Sequence, residues 1–205
     1  MKFMNHNHET KIYLADINRV NKSHFELISS ERAEKAMRYK MEADKKRSVA
    51  AGILLSRFLP GAEIYTDEFG KPRAKNGGCF NLSHSGDYAV LAVSECETGV
   101  DIEVFRRVDA LRMGKIVFCQ NEMNMLEAEG DRLRLFFEFW TKKEALLKCM
   151  GKGFHRNAKS VDVSGDYFDE NGKRYFFKTY RFSDYTLSVC SEKNNFPDNL
   201  EFIDI

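Results

Sequence analysis

The sequence predicts an α+β chain made of two similar α/β halves, each a small, mainly antiparallel sheet packed on a long helix. Three observations lead there. The order of elements is strand, helices, strands in residues 1–97 and again in residues 98–205, although no strong sequence repeat is visible. A long helical stretch recurs in each half, Ala43 to Phe58 in the first and Leu133 to Met150 in the second. The 205 residues, 43% hydrophobic with 17 Phe, are enough for one large or two small domains with a real core. The boundary falls near Glu97 inside a strand connection, so the halves are not separated by a linker.

The elements follow in order. Lys11 to Ile17 (KIYLADI) alternates apolar and polar residues and reads as a first strand. Ser29-Ser30-Glu31 supplies a helix cap, and Glu31 to Tyr39 is a charged helix. Ala43 to Phe58 places Val49, Ile53, Leu54 and Phe58 on a buried face and stops at Leu59-Pro60-Gly61. Ile64-Tyr65 is a short strand and Asp67 to Lys71 a turn. Tyr88 to Val93 is a strongly apolar strand that enters the Glu95-to-Gly99 loop and returns as Val100 to Val104, which reads as a hairpin. Asn121 to Glu129 is helical, Gly130 breaks it, and Leu133 to Met150 ends at Gly151. Asn171-Gly172, between two strand-like runs, suggests a tight turn, and Thr186 to Cys190 reads as the last strand. The aromatic-rich stretch Tyr167 to Tyr185 reads as sheet core.

Composition excludes several classes. With 32 basic and 31 acidic residues the net charge is +1, unlike the basic excess of a general nucleic-acid binder. Cys79, Cys96, Cys119, Cys149 and Cys190 are odd in number and scattered, with no C-x-x-C, as in a reduced, cytoplasmic protein. Met1 to Thr10 is polar, without the apolar core of a signal peptide, and His6 and His8 read as a frayed terminus rather than a metal pair. No apolar run approaches the roughly 20 residues that span a bilayer.

The chemistry gathers in two stretches. In Gly99-Val100-Asp101-Ile102-Glu103, the period of two sends both carboxylates to one strand face. In Trp140-Thr141-Lys142-Lys143-Glu144-Ala145-Leu146-Leu147-Lys148, Trp140, Glu144 and Lys148 share one helix stripe. Taken singly these are solvated edge-strand acids and a surface i,i+4 ion pair worth about 0.3–0.5 kcal/mol. Taken together, an acidic strand face and an acid–base helix stripe can close around one divalent cation. Oxygen-only ligands favour Mg2+ or Ca2+ over zinc, and Mg2+ keeps positions open for water and phosphates.

GVDIE followed by WTKKEALLK resembles the signature pair of the 4′-phosphopantetheinyl transferases, in their long, Sfp-like class. Phe69-Gly70-Lys71-Pro72 and Asn81-Leu82-Ser83-His84-Ser85 match two further family motifs in the expected order, and the likeness runs from about Thr10 to Cys190. It implies two halves related by a pseudo-twofold, with the substrate between them. It implies Mg2+, with Mn2+ as a substitute, held by Asp101, Glu103 and Glu144 against the pyrophosphate of coenzyme A. Glu144 would also be the base for the attacking serine, directly or through water, and Lys148 would neutralise the phosphate and the departing 3′,5′-ADP. Lys71, Pro72 and Ser83 would surround the adenosine end and His84 would contact phosphate. Arg32, Lys35 and Arg47 would serve the ribose 3′-phosphate. Without the resemblance, His84 and Lys71 read as turn residues and the three cations as a solvated helix face. A Gly-x-Gly loop after the long helix would bring Lys152 and Phe154 near the substrates.

The implied activity is transfer of phosphopantetheine from coenzyme A to a serine of an apo acyl or peptidyl carrier protein, with release of 3′,5′-ADP. Between the two signatures, Phe105 to Leu126 offers Arg106, Arg107, Arg112 and Lys115 to an acidic carrier helix, with Leu111, Met113 and Ile116 as apolar contacts. Both halves on one chain imply a monomer, with neither nucleic acid nor membrane as partner. Two other readings stand beside this one. One is a non-catalytic module binding coenzyme A or a carrier; the other is a different Mg2+ enzyme, such as a hydrolase of a nucleotide pyrophosphate.

Overall fold

A computed structural model describes residues 9–151 and 157–205. His6, His8, Lys152 and Phe154 lie outside the described residues. The first half runs β1 (Lys11–Asp16), α1 (Ser30–Met37), α2 (Glu42–Phe58), β2 (Ile64–Thr66), β3 (Pro72–Ala74), β4 (Cys79–Ser85) and β5 (Tyr88–Ser94). The second runs β6 (Thr98–Val104), α3 (Ala110–Val117), α4 (Gln120–Ala128), α5 (Arg132–Met150), β7 (Tyr167–Glu170), β8 (Lys173–Arg181), β9 (Tyr185–Ser191) and β10 (Glu201–Ile203). Two four-stranded sheets result, in the orders β10-β1-β5-β4 and β6-β9-β8-β7, with β2-β3 as a separate hairpin.

One connectivity occurs twice, as the sequence predicts. A leading strand passes through helices to an antiparallel hairpin, and the hairpin's second strand returns beside the leading one. That pairing is β1 with β5 in one half and β6 with β9 in the other, with β4 and β8 outside them. Each half has its long helix. Val49, Ala50, Ile53 and Leu54 form the buried stripe of α2. The Asp131 side chain caps α5, and Gly151 ends it at φ 69°, the left-handed conformation that closes a helix without a Cβ penalty. Asn171 (φ 52°) and Gly172 (φ 76°) make the expected tight turn between β7 and β8.

The apolar residues fill three layers. Tyr13, Ala15, Ala89 and Leu91 pack with α2 on one face of the first sheet. Ile12, Leu14, Val90 and Ala92 on its other face meet Val100, Ile102, Leu187 and Val189 of the second sheet. Phe136, Phe137, Leu146 and Cys149 of α5 lie in the third, with α3 and α4.

The expected hairpin of Tyr88–Val93 with Val100–Val104 does not form. Both edges of β5 are taken by β1 and β4, so no backbone groups remain for β6. The intervening loop instead crosses from one sheet to the other. Side chains of β4, rather than a backbone ladder, supply hydrogen bonds to β6: Val100 N–H donates to Asn81 Oδ1 at 3.0 Å and Val104 N–H to Ser85 Oγ at 3.2 Å. Nor is β9 the last strand, because β10 adds in parallel to β1. Helix α5 lies directly against β6 at Gly99. A Cβ there would sit 2.0 Å from the Ala145 carbonyl oxygen, which is why glycine precedes the acidic strand.

Candidate active site

Strand β6 turns Val100 and Ile102 into the inter-sheet core and Asp101 and Glu103 away from it, toward α5 and β4. Asp101 is 6% exposed. Its Oδ1 accepts from Ser83 Oγ at 2.7 Å and from Lys148 Nζ at 2.7 Å. Lys148 also donates to Ser83 Oγ at 3.0 Å and to the Val100 carbonyl at 3.1 Å. Asp101 Oδ2 is buried with no hydrogen-bond partner. An unsatisfied buried carboxylate oxygen costs roughly 1–3 kcal/mol or more, so this atom asks for a cation. Glu103 Oε2 accepts from Ser85 Oγ at 2.8 Å and Arg106 Nη1 at 2.7 Å.

Glu144 comes to the same place from α5. Burial, reinforced by the charges of Asp101 and Glu103 and opposed by Lys148, raises its carboxyl to about 6. Burial also raises Asp101, against the pull of Lys148 and Ser83. Asp101 and Glu103 thus lie close enough for their charges to act on Glu144, with Lys148 opposing them, and an all-oxygen donor set of this charge fits a hard divalent cation such as Mg2+. Their oxygens are not drawn as tight as those of Cys119, Glu122 and Asp162, whose ligand atoms all lie within 4.8 Å of one another. That second group is a structural knot. Glu122 is fully buried, pairs with Lys143 at 2.9 Å, and accepts from the Cys119 and Val163 N–H groups, each at 2.9 Å.

Beside the carboxylates the halves enclose two cavities. One, of about 310 Å³, lies between Phe69, Gly70, Lys71 and Pro72 on one side and Glu144, Leu147 and Lys148 on the other. A second, of about 450 Å³, brings Arg32, Lys35, Arg47, Pro72, Ser83, His84, Asp101 and Lys148 together. Arg32 donates to the Ser48 carbonyl at 3.3 Å, and Arg47 to the Gly86 carbonyl at 2.7 Å and Asp44 at 2.5 Å. Crowding by protein atoms, then the charges of Arg47 and Lys148, hold the His84 imidazole below its ordinary value and hence neutral at pH 7.

Lys71 is not a solvated turn lysine. It is 7% exposed. Its Nζ donates to Glu97 at 2.7 Å and to the Thr98 and Cys149 carbonyls, each at 3.2 Å. All three donors are taken within the protein, so this motif meets the cavity through Phe69, Gly70, Pro72 and the lysine stem. Trp140, on the Glu144 stripe, stacks on Phe136 in the core rather than facing the cavity.

On α3, Met113 and Ile116 are exposed at 39% and 62%, beside exposed Arg107, Arg112 and Lys115. Leu111 departs from the expected surface set, because it packs against the core. Sequence reasoning missed Asn81, Leu82 and Leu147 as cavity lining and Glu97 as the partner of Lys71. The alternation of Asn81, Ser83 and Ser85 was the available signal for the first of these; Glu97 belongs to no motif.

Comparison with known proteins gives a consistent picture. Residues 97–196 match the model of the 4′-phosphopantetheinyl transferase superfamily. The chain is 30% identical to the 4′-phosphopantetheinyl transferase gsp of Aneurinibacillus migulanus, over 70% of this chain and 62% of that protein. It is 38% identical to a putative 4′-phosphopantetheinyl transferase of Synechocystis sp., over 73% and 65%. It is 26% identical to the 4′-phosphopantetheinyl transferase Sfp of Bacillus subtilis, over 89% and 90%. The chain therefore spans somewhat less than two thirds of the first two relatives and nine tenths of the third. Among the described residues no helix is long and apolar enough to cross a membrane.

Proposed function

Because this chain belongs to the 4′-phosphopantetheinyl transferase superfamily, we propose that it transfers the phosphopantetheine arm of coenzyme A to a serine hydroxyl of an apo acyl or peptidyl carrier protein, releasing 3′,5′-ADP. One observation carries the reading. Asp101, with its unpartnered Oδ2, stands with Glu103, Glu144 and Lys148 beside a cavity lined by Arg32, Lys35, Arg47 and His84. Carboxylates for a cation and cations for phosphates are what a pyrophosphate substrate requires.

In this reading residues 1–97 supply the adenosine and 3′-phosphate side and residues 98–205 the catalytic side. Arg32, Lys35 and Arg47 receive the 3′-phosphate; Pro72, Ser83 and His84 line the nucleotide path, with Lys71 behind the wall. Asp101, Glu103 and Glu144 would hold Mg2+, or Mn2+ in its place, which when bound neutralises pyrophosphate charge. The carrier serine oxygen forms the new bond to phosphorus, and the bond from that phosphorus to the bridging oxygen breaks. Glu144 takes the serine proton, directly or through one water. Without the cation this carboxyl is raised to about 6 and is still ionised at neutral pH, and a cation bound beside it would favour the ionised form further. Lys148, which also orients Asp101, offsets the charge that develops on the leaving 3′,5′-ADP.

The exposed Met113 and Ile116, with Arg107, Arg112 and Lys115, fit an acidic carrier helix with a few apolar side chains. The five free thiols suit a reducing compartment such as the cytoplasm, the net charge of +1 lacks the basic excess of a general nucleic-acid binder, and both proposed sides of the site lie on one chain, so the protein is read as a monomer. The test is a single assay with coenzyme A, Mg2+ and apo carrier protein, following 3′,5′-ADP and carrier mass. Nucleotide release only with carrier, matched by mass gain, is the expected result. Release without carrier would make the protein a hydrolase, and tight binding with no release would make it a binding module.

A further inference from the structure

The β2-β3 hairpin forms one wall of the cavity between Phe69 and Glu144, yet little of its own structure keeps it there. Its strands have three residues each, and those of β2 are all exposed. Isolated two-stranded hairpins of this size are marginal in water. Its turn is rigid within itself. Asp67 Oδ1 accepts from the Phe69 N–H at 3.0 Å and the Lys71 N–H at 2.9 Å, and Asp67 Oδ2 from Arg73 Nε at 2.9 Å.

The ion pairs that tie this unit to the body converge on one carboxylate. Glu97 accepts from Lys71 Nζ at 2.7 Å through Oε2 and from Arg73 Nη1 through Oε1. It lies where the chain crosses from the first sheet to the second, next to Thr98, whose carbonyl also takes Lys71. The Cys149 carbonyl, at the end of the helix that carries Glu144 and Lys148, is the third Lys71 acceptor. The hairpin, the crossing and the catalytic helix thus meet at one buried ammonium.

We propose that Glu97 is a positioning residue: by pairing with Lys71 and Arg73 it holds the Phe69–Pro72 wall at the coenzyme A cavity. The ligand's identity rests on the function proposed above; the clamp does not. Removing the carboxylate leaves Lys71 as a buried cation with only carbonyls around it, a state that favours release of the hairpin. Glu97 is not part of the carboxylate cluster and meets the cavity lining only through Lys71, so its loss acts on binding and leaves chemistry alone.

The test compares wild type with Glu97→Gln, which keeps shape but removes charge, and Glu97→Asp. Amide hydrogen exchange of the free protein is read over residues 64–74 and over α5; coenzyme A binding is read by calorimetry, and KM and kcat with apo carrier protein. Glu97→Gln should exchange faster in 64–74 with α5 unchanged. It should raise KM and Kd for coenzyme A about tenfold, the loss of one charge-assisted contact, and leave kcat within about twofold. Glu97→Asp should recover most of the affinity. Unchanged exchange in a folded Glu97→Gln, unchanged KM, or a fall in kcat alone would each overturn the proposal. If Glu97→Gln does not fold, Arg73→Gln, which leaves Lys71 its partner, must show the same pattern at smaller size or the proposal fails. A wild-type protein that does not bind coenzyme A would overturn the functional reading, while the exchange comparison would still decide whether Glu97 holds the hairpin.

Discussion

Replacing Glu144 by Gln should destroy transfer and at the same time make the folded protein more stable, at one end of the pH scale only. Burial and the neighbouring charges of Asp101 and Glu103 raise this carboxyl from 4.5 to about 6. The folded state therefore binds the proton more readily than the unfolded chain does. Wild-type stability falls as pH rises from about 4.5 to about 6, and above that range the ionised Glu144 costs the fold a constant amount. One and a half units at about 1.4 kcal/mol each is roughly 2 kcal/mol; partial exposure reduces this to about 1–2 kcal/mol. For a chain of 205 residues each kcal/mol corresponds to about 2–4 °C in Tm. Thermal and urea melts in chelator should then show Glu144→Gln about 2–8 °C above wild type at pH 8 and level with it near pH 4. Added Mg2+ should narrow the gap at pH 8, because the cation relieves the wild-type repulsion and has less to bind in the variant. Equal or lower stability of Glu144→Gln at pH 8 would mean that burial and the neighbouring carboxylates together do not disfavour the ionised Glu144, and the reasoning would fail.

Three further outcomes are expected. Gly99→Ala should cost at least the 1–3 kcal/mol typical of overpacking, roughly, because its Cβ meets helix backbone at 2.0 Å rather than a side chain that can turn away; an unchanged Tm would refute this contact. Lys143→Met should lose about 3–5 kcal/mol in urea melts by stranding the fully buried Glu122, whereas Lys143→Met with Glu122→Leu should recover much of it; equal losses in the single and double variants would show that the pair is not the cause. Coenzyme A lacking its 3′-phosphate should bind about tenfold more weakly, and Arg32→Ala should shrink that difference; equal calorimetric affinities for the two ligands would remove the cationic cavity from the site.

Much of this architecture is written in local pattern. The stripe of Val49, Ile53 and Leu54, the cap at Ser29 and the stop at Gly151 are signals within a few residues, and the helices follow them closely. So is the pairing of Asp101 with Glu103 on one face of β6. Pairing between strands is a different matter. An apolar strand followed by a short loop and another strand ordinarily makes a hairpin, but β5 was already committed to β1 and β4, and that competition lies between residues far apart in sequence. Strand β4 was obscured because its polar residues Asn81, Ser83 and Ser85 do not face water; they bond to β6 across the seam. In the site, residues carried by motifs were legible. Glu97, Glu122 and the buried roles of Lys71 and Lys143 were not, since a carboxylate or ammonium in the sequence shows nothing of whether it will be solvated or enclosed.

The parallel addition of β10 to β1 bears on how the chain is made. Strand β1 is synthesised long before β10, the neighbour on one of its edges. Until β10 has been made, that edge presents unpaired backbone groups, with Tyr13 to Ala15 waiting for Glu201 to Ile203. The early half can collapse around α2, but its sheet cannot be completed before β10 emerges. Completion also joins two segments far apart in sequence in one sheet, reinforced by the Thr10 N–H to Asn195 carbonyl bond at 3.0 Å and by the Arg19–Asp204 pair. A chain lacking β10 would keep every residue of the site yet leave one edge of the first sheet open at β1.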